Sequence, residues 1–190
     1  IGNEDKEIMI SKVEKIMEKR GILNKENCPG HSVGEMSEKA EQELHTRAYI
    51  KIQNGCNQYC SYCIIPYVRG KLESRTEEDI LSETKKLAAA GFHEIVLTGI
   101  HLSSFGVDRE FKKTDANSFV KLQGKYLLEL LQKMAQVSGI ERLRLGSLEP
   151  RIITEEFVKK LAEIPEVCPH FHLSLQSGCD ATLKRMNRHY

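Results

Sequence analysis

The feature that most constrains the fold of this 190-residue chain is a regular alternation of strand and helix patterns between residues 48 and 187. Apolar runs predict strands at 48–53, 93–99, 142–147 and 170–178. Helical periodicity predicts a helix after each strand, between Thr76 and Gly91 and then at 126–137, 154–162 and 180–187. Alternation of this kind is typical of right-handed strand–helix–strand units around a parallel sheet. The sequence therefore predicts an α/β fold.

Details of this pattern give further expectations. Ser74 and Thr76 are both candidates for the cap of the first predicted helix, because each precedes an acidic residue by three positions. Residues 100–124 are predicted to form a long polar loop, and loops of that length usually carry a function. Four strands cannot close a barrel, so the sheet is either open or continues beyond this sequence.

The composition excludes several classes of protein. The 28 Lys and Arg residues nearly balance the 27 Asp and Glu residues, so any contact with RNA has to come from local patches. The apolar runs are too short to cross a membrane, and no secretory leader is visible. Six unevenly spaced cysteines do not resemble a secreted disulfide framework. We expect a cytoplasmic protein with no membrane partner.

The first part of the chain has a different organisation. Residues 3–20 carry apolar side chains at helical spacing, with Gly21 as a stop. Residues 22–46 have no sustained period and resemble a linker. Since residue 1 is Ile rather than Met, we expect this sequence to be a piece of a longer polypeptide.

Three cysteines, Cys56, Cys60 and Cys63, fall within eight residues directly after the first predicted strand. Thiolates bind soft metals and iron–sulfur clusters, and in α/β proteins the end of a strand is where ligands usually lie. Three protein ligands would leave one iron of a [4Fe–4S] cluster open to a substrate or cofactor. The spacing therefore favours an iron–sulfur site with an open position.

Three other interpretations remain at this stage. A structural zinc site would recruit Cys28 or His45 as its fourth ligand. A ferredoxin-like electron carrier would need a fourth cysteine nearby, and none follows Cys63 closely. The cysteines could also be inert, as we expect for Cys168 and Cys179, which have no motif partners.

The cysteine motif CNQYCSYC resembles the CxxxCxxC motif of radical S-adenosylmethionine (SAM) enzymes. Several segments in the same order resemble the methylthiotransferase family within that superfamily, and together they cover roughly residues 48–190. These segments are NGCNQYCSYCIIPYVRG, the SR pair at 74–75, EIVLTGIHLSSFGVD, RLRLGSLEP and HFHLSLQSGCDATLKRMNRHY. The resemblance implies a parallel-stranded partial (β/α) barrel, truncated after about four strands.

The resemblance also implies cofactors and site residues. The three cysteines would hold a [4Fe–4S] cluster whose open iron binds the amino and carboxylate groups of SAM, so that reduction yields a 5′-deoxyadenosyl radical. The positions that match SAM-contacting residues of the family are Tyr62, Thr98, Gly99, Ser147, Glu149, Ser174 and Gln176. We expect no catalytic side chain beyond the cluster ligands.

The family further predicts the domain organisation. Residues 1–25 would be the last helix of an amino-terminal domain that holds a second [4Fe–4S] cluster, residues 26–46 a linker, and residues 47–190 an incomplete radical SAM core. Only Cys28 precedes Cys56, so the second cluster would belong to a part outside this sequence. Methylthio transfer by this chain alone is therefore not expected.

The expected substrate is a modified adenosine next to the tRNA anticodon. The segment LTGIHLSSFG is most similar to enzymes that methylthiolate carbon 2 of N6-threonylcarbamoyladenosine. Isopentenyladenosine enzymes, other radical SAM enzymes and, in a different class, a zinc-stabilised RNA-binding module are the alternatives. A reducing electron donor is also implied.

Charged side chains near these motifs have two interpretations. The segment that carries Cys56, Cys60 and Cys63 is called the cysteine loop below. One basic group beside it consists of Arg69, Lys71 and Arg75, and another consists of Lys184, Arg185 and Arg188. Solvated surface charge is the simpler interpretation, and contact with tRNA phosphate is the functional one. His101, in the predicted long loop, is a candidate substrate contact.

Overall fold

The structure is a computed structural model that describes residues 15–16, 19–20, 46–109 and 124–190. The chain divides into two units, Ile1–His45 and Thr46–Tyr190. In the first unit, the described residues include a helical hydrogen bond from the Arg20 backbone N–H to the Ile16 carbonyl, at 3.1 Å. Most of the predicted helix at 3–20, and the predicted linker up to residue 45, fall outside the described residues. The predicted domain boundaries therefore stay predictions.

The second unit is built on a four-stranded sheet in the order β2-β1-β3-β4. Its strands are β1 (Ala48–Asn54), β2 (Glu73–Ser74), β3 (Glu94–Gly99) and β4 (Arg142–Leu145). Strands β1, β3 and β4 are parallel, and β2 is antiparallel to β1. A second, parallel pair consists of β5 (Ser147–Leu148) and β6 (His172–Leu173). The predicted α/β class is confirmed, and the strands of the described residues form no closed barrel, as expected for a partial one.

Helices follow the strands along the chain. They are α1 (Ile65–Val68), α2 (Glu77–Ala89), α3 (Lys125–Ala135), α4 (Glu155–Ala162) and α5 (Asp180–Arg185), with single 3₁₀ turns at Leu102–Ser104, Val107–Arg109 and Pro150–Ile152. Among the described helices, none has the length and apolar character needed to cross a membrane.

The capping prediction is half correct. Helix α2 begins after Thr76, whose side-chain oxygen accepts a hydrogen bond from the Asp79 backbone N–H at 3.2 Å. Ser74 is not a cap. It lies in β2, and its hydroxyl donates instead to Asp108 Oδ1 at 2.6 Å.

The core lies between the sheet and its helices. Strand β1 alternates as predicted, because Ala48, Ile50 and Ile52 are buried while Tyr49 and Lys51 are exposed. Helix α3 contributes its apolar face, which consists of Tyr126, Leu127, Leu128, Leu130, Leu131 and Met134. Full burial of one such aliphatic side chain stabilises the fold by about 1.5–3 kcal/mol. This packing fixes the position of the strand ends.

Two predicted strands are shorter than the sequence pattern indicates. The third is divided at Gly146, whose backbone N–H donates to the Leu97 carbonyl at 3.0 Å, into β4 and β5. The fourth covers only His172–Leu173 of the predicted 170–178. Successive tight turns, with N–H groups of Leu175 and Ser177 bonded two residues back, end its extended conformation.

The predicted long polar loop at 100–124 is wrong in its first part. Leu102, Ser103, Phe105 and Val107 are all buried there, in the two 3₁₀ turns or directly beside them. The polar composition predicted an exposed loop, but the serine hydroxyls form hydrogen bonds inside the fold and can therefore be buried. Ser103 Oγ, for example, accepts from the Glu149 backbone N–H at 2.9 Å. Residues 110–123 of the loop fall outside the described residues.

Gly55 fixes the exit of β1 into the cysteine loop. Its φ is +65°, and a Cβ there would lie 1.8 Å from the Lys71 carbonyl oxygen. The adjacent Cys56 N–H donates to the Gly70 carbonyl at 3.2 Å. Only glycine allows the two ends of the loop to approach this closely.

We expect Gly55→Ala to destabilise the chain by about 3 kcal/mol, because it combines a left-handed φ with a clash against backbone. The measurement is urea unfolding followed by circular dichroism. Gly70→Ala is the matched control: its φ is +77° but a Cβ there meets nothing within 4 Å. It should show the conformational cost alone, so equal losses in the two variants would contradict the steric explanation.

Candidate functional site

The site lies where the carboxyl ends of several strands meet. Gly55 and the cysteine loop follow β1, His101 follows β3, Glu149 follows β5 and Ser174 follows β6. Because β1 is parallel to β3, and β5 to β6, the ends within each pair lie side by side. The carboxyl edge of parallel strands is the usual ligand position in α/β proteins.

The segment after α5 holds the cysteine loop in place. The Ser61 backbone N–H donates to the Met186 carbonyl at 3.1 Å, and its hydroxyl donates to the Arg185 carbonyl at 3.0 Å. The Asn187 side-chain amide donates to the Tyr59 carbonyl at 3.0 Å. Tyr59 has a φ of +47°, so this contact supports a conformation that a non-glycine residue rarely adopts. The loop conformation thus depends on residues far along the chain.

The three predicted ligands have different environments. Cys60 is buried, and Cys56 and Cys63 are partly buried. Burial raises the pKa of the Cys56 thiol, and the charges of Cys60, Cys63 and Glu149 raise it further, while a backbone hydrogen bond from Gln58 acts in the opposite direction. The charges of Cys60 and Cys63 thus disfavour ionisation of Cys56, and a bound cationic centre would relieve this effect.

The three thiols are soft sulfur ligands of the kind that iron–sulfur clusters use. No group of three His, Cys, Asp or Glu side chains in residues 46–109 and 124–190 is arranged to hold one ion. Around a zinc ion, bonds of about 2.3 Å would bring thiolates within about 4 Å of one another. A cubane cluster binds each thiolate at a separate iron and so spaces them more widely. The donor set fits such a cluster, and the candidate zinc ligands Cys28 and His45 fall outside the described residues.

Arg188 connects Cys60 to the interior of the site. Its Nη1 donates to Cys60 Sγ at 3.3 Å, and Nη2 donates to the Ser174 carbonyl at 3.4 Å and lies 3.6 Å from Glu149 Oε1. The side chain is only 7% exposed. The interpretation of Arg188 as solvated surface charge is therefore wrong, whereas Lys184 and Arg185 are exposed as predicted.

Glu149 is the carboxylate that balances the charges of Arg188 and Arg151. Its side chain is 1% exposed, forms ion pairs with Arg151 (3.3 Å) and Arg188, and is hydrogen-bonded to His101 (3.1 Å). Burial acts to raise the pKa of the Glu149 carboxyl, but the hydrogen bond and charge of His101 and the charges of Arg151 and Arg188 outweigh it and hold that pKa below its usual range. Since a carboxylate only accepts, His101 Nε2 donates in this pair. His101 thus supports Glu149, and its role as a candidate substrate contact stays a prediction.

Gln53 is a site residue that the sequence did not reveal. Its side chain is buried; Nε2 donates to the Asn54 and Gly55 carbonyls at 2.5 and 2.6 Å, and Oε1 accepts from the His101 backbone N–H at 2.7 Å. It thereby joins the end of β1 to the segment after β3. Gln53 follows the buried Ile52 and is itself buried, so the alternation of buried and exposed residues in β1 ends here, where the pairing with β3 also shifts register.

The remaining predicted cofactor contacts occupy varied positions. The Thr98 hydroxyl donates to the Ile50 carbonyl at 3.3 Å, and a Cβ on Gly99 would lie 3.0 Å from Gln53 Oε1. Ser147 Oγ lies 2.9 Å from His172 Nδ1, on the exposed side of β5. Tyr62 and Gln176 are exposed, and the latter has a φ of +63°. The described contacts bring Glu149 and Ser174 together with Cys60 through Arg188, whereas Ser147 is bonded elsewhere.

Two buried polar atoms near the site lack a hydrogen-bond partner within the described part of the chain: Asn54 Oδ1 and Arg151 Nε. Asn54 precedes the cysteine loop, and Arg151 pairs with Glu149. Buried polar groups without partners are uncommon and require an explanation, such as a bound polar ligand.

We expect the stability lost in Glu149→Gln to depend on pH. A carboxyl whose pKa is lowered by folding adds stability above its unfolded pKa, and this stability is lost as pH falls through the folded pKa. Urea unfolding should show the variant about 3 kcal/mol less stable near pH 7. That difference should shrink as the pH falls from about 5 towards 3.

Glu155→Gln is the control for this experiment, because Glu155 is exposed on α4 and pairs only with Lys159 across the helix surface among its described contacts. Its effect on stability should be small at every pH. A loss in Glu149→Gln that stays constant with pH would contradict the ion-pair explanation.

Comparison with known families identifies the fold. The model of the radical SAM superfamily matches residues 50–190. Among solved structures, the radical SAM methyltransferase TsrM from Kitasatospora setae, determined with cobalamin and a [4Fe–4S] cluster bound, is similar with a TM-score of 0.54 and 19% identity. The match covers 79% of this chain and 28% of TsrM, and it supports the fold alone.

The curated relatives include tRNA-modifying proteins of two kinds. The threonylcarbamoyladenosine tRNA methylthiotransferase MtaB of Bacillus subtilis is 37% identical over 100% of this chain and 40% of its own length. The tRNA-2-methylthio-N(6)-dimethylallyladenosine synthase of Clostridium botulinum (strain Okra / Type B1) is 40% identical over 76% of this chain and 29% of its own. The chain thus spans well under half the length of these relatives. It belongs to the radical SAM superfamily, and its predicted resemblance to the methylthiotransferases is confirmed.

Proposed function

We propose that this chain is the radical SAM core of a cytoplasmic tRNA methylthiotransferase. The reaction would place a methylthio group on carbon 2 of N6-threonylcarbamoyladenosine next to the anticodon. The observation that carries the proposal is the loop of three thiols, with Cys60 Sγ held by the buried Arg188 at the carboxyl edge of a parallel sheet. Relatives that modify tRNA supply the substrate class.

In this proposal Cys56, Cys60 and Cys63 hold a [4Fe–4S] cluster that, when bound, supplies the electron for reductive cleavage of SAM. The chain's own residues fix the ligands. Arg188 donates to Cys60 Sγ, and Ser61 anchors the loop to the segment after α5. Hydrogen bonds to a ligand sulfur both orient it and tune the metal centre.

SAM would lie against the carboxyl ends of the strands. The residues proposed to line its site are Tyr62, Thr98, Gly99, Ser147, Glu149, Ser174 and Gln176. Support comes from the position of Glu149 beside Arg188 and from the unpaired Asn54 Oδ1 and Arg151 Nε, which offer one acceptor and one donor to a polar cofactor. The buried Glu149 acts here as a positioning residue for Arg188.

An RNA substrate with an unpaired target base is proposed because the base has to reach the protein site. A base in an anticodon loop can leave its stack and enter a protein site, whereas a base within duplex RNA cannot be reached in the same way. The choice of threonylcarbamoyladenosine rests on the sequence of the segment 97–106, LTGIHLSSFG. His101, in this segment, is hydrogen-bonded to the buried Glu149. A reducing electron donor and a second [4Fe–4S] cluster, outside this sequence, complete the proposed enzyme.

Anaerobic reconstitution with iron and sulfide tests the cluster assignment. We expect about four irons and four sulfides per chain, with a brown colour. Cys56→Ser, Cys60→Ser and Cys63→Ser should each lose most of this iron, because each removes a ligand. Cys179→Ser is the control, since Cys179 is exposed and lies outside the loop. A colourless chain that binds a single zinc ion would instead support a zinc-stabilised RNA-binding module.

Mass spectrometry of tRNA nucleosides tests the substrate. Deletion of the gene should remove the 2-methylthio form of threonylcarbamoyladenosine and leave that of isopentenyladenosine unchanged. The unmodified precursor should accumulate in equal amount, and the intact gene should restore the product. Loss of the isopentenyladenosine product instead would assign the other substrate.

A further inference from the structure

The outer surface of the cysteine loop carries exposed aromatic rings. Tyr59 is 50% exposed and Tyr67, on α1, is 75% exposed. Their ring centroids are 6.3 Å apart and the rings are nearly perpendicular, at 78°. In an edge-to-face pair, one ring contacts the other through its edge. The two faces of the ring that contributes its edge are not used in the pair and can stack on a flat partner. Large exposed aromatic side chains of this kind mark interaction surfaces.

The same surface contains no acidic side chain of its own. Residues 55–72 and 181–190 include five Arg or Lys residues and no Asp or Glu, whereas the rest of the chain is more acidic than basic. These two segments are bonded to each other through Ser61 and through the Asn187 amide. Lys71, Lys184 and Arg185 are exposed on this surface, and Asp180 lies just outside it. The local charge is therefore positive although the whole chain is nearly neutral.

We propose that this surface, formed by residues 55–72 and 181–190, binds single-stranded RNA by stacking unpaired bases on Tyr59 and Tyr67 and by pairing phosphates with Lys184 and Arg185. Proteins that bind single-stranded nucleic acids without sequence preference combine aromatic side chains, which stack on bases, with cationic side chains, which contact phosphates. This inference rests on the proposed function and extends it, because it locates the contact with the nucleotides that flank the modified base. Tyr59 lies between Cys56 and Cys60, and Tyr67 lies four residues after Cys63, so RNA bound to these rings would lie beside the proposed reaction site.

The charge pattern favours RNA over a protein partner. A duplex would offer no exposed base faces to Tyr67, and an acidic protein would use the cations but would not require a planar ring. Each stacked base typically accounts for a several-fold change in affinity, and each phosphate contact makes binding depend on salt. The two contributions can therefore be measured separately.

Binding of the whole metal-free chain, kept reduced, to a fluorescein-labelled RNA hairpin with an anticodon-like loop tests the proposal by fluorescence anisotropy. Tyr67→Ala should weaken binding by roughly tenfold, and Tyr67→Phe should restore it, because stacking needs only the ring. Tyr49→Ala is the matched control: Tyr49 is 57% exposed but lies at the opposite end of β1. It should bind like the unmodified chain.

The cations are tested in the same assay between about 50 and 200 mM salt. Lys184→Ala and Arg185→Ala should each reduce the slope of log affinity against log salt by about 0.7. Lys160→Ala, on α4, should leave the slope unchanged, because Lys160 lies outside the proposed surface and pairs with Glu156.

Several outcomes would overturn the proposal. These are equal binding by Tyr67→Ala and the unmodified chain, failure of Tyr67→Phe to restore binding, absence of any RNA binding, or binding of an acidic protein in place of RNA. The assay contains no iron, and the reconstitution experiment contains no RNA. Failure of the RNA surface is therefore distinguishable from failure of the cluster assignment.

Discussion

A buried guanidinium between a thiol and a carboxylate is the interaction on which the site depends. Arg188 donates to Cys60 Sγ and pairs with Glu149, and the side chains of both charged residues are almost fully buried. Neither charge is tolerated alone in such surroundings, since removal of one partner from a buried pair typically costs about 3–5 kcal/mol. One side chain thus connects the cysteine loop, the segment that follows β5 and the residues after α5.

The sequence was sufficient to predict the elements whose signal is local. The parallel strands β1 and β3 are rich in Ile, Val and Leu, which made the strand–helix alternation visible. The cysteine spacing likewise lies within a single loop. Thr76 was identifiable as a cap because its partner, Asp79, is three residues away. In each case the residues that decide the structure are neighbours in the chain.

The features that escaped prediction depend on distant partners. Arg188 looked like surface charge because its partners Cys60 and Glu149 are remote in sequence, and Gln53 is bonded to His101, which lies 48 residues later. The two-residue β2 is specified by pairing with β1 rather than by its own composition. The predicted fourth strand was too long for a similar reason, since local turns at Leu175 and Ser177 override its apolar pattern.

The attachment of the cysteine loop to residues beyond α5 has a consequence for biosynthesis. Tyr59 and Cys60 are each bonded to partners 128 residues later, and Ser61 to one 124 residues later. On a translating ribosome the thiols therefore emerge long before the groups that hold them, and they remain solvent-accessible in the nascent chain. A cluster held by these cysteines would therefore enter an ordered pocket only after Asn187 and Arg188 have left the exit tunnel.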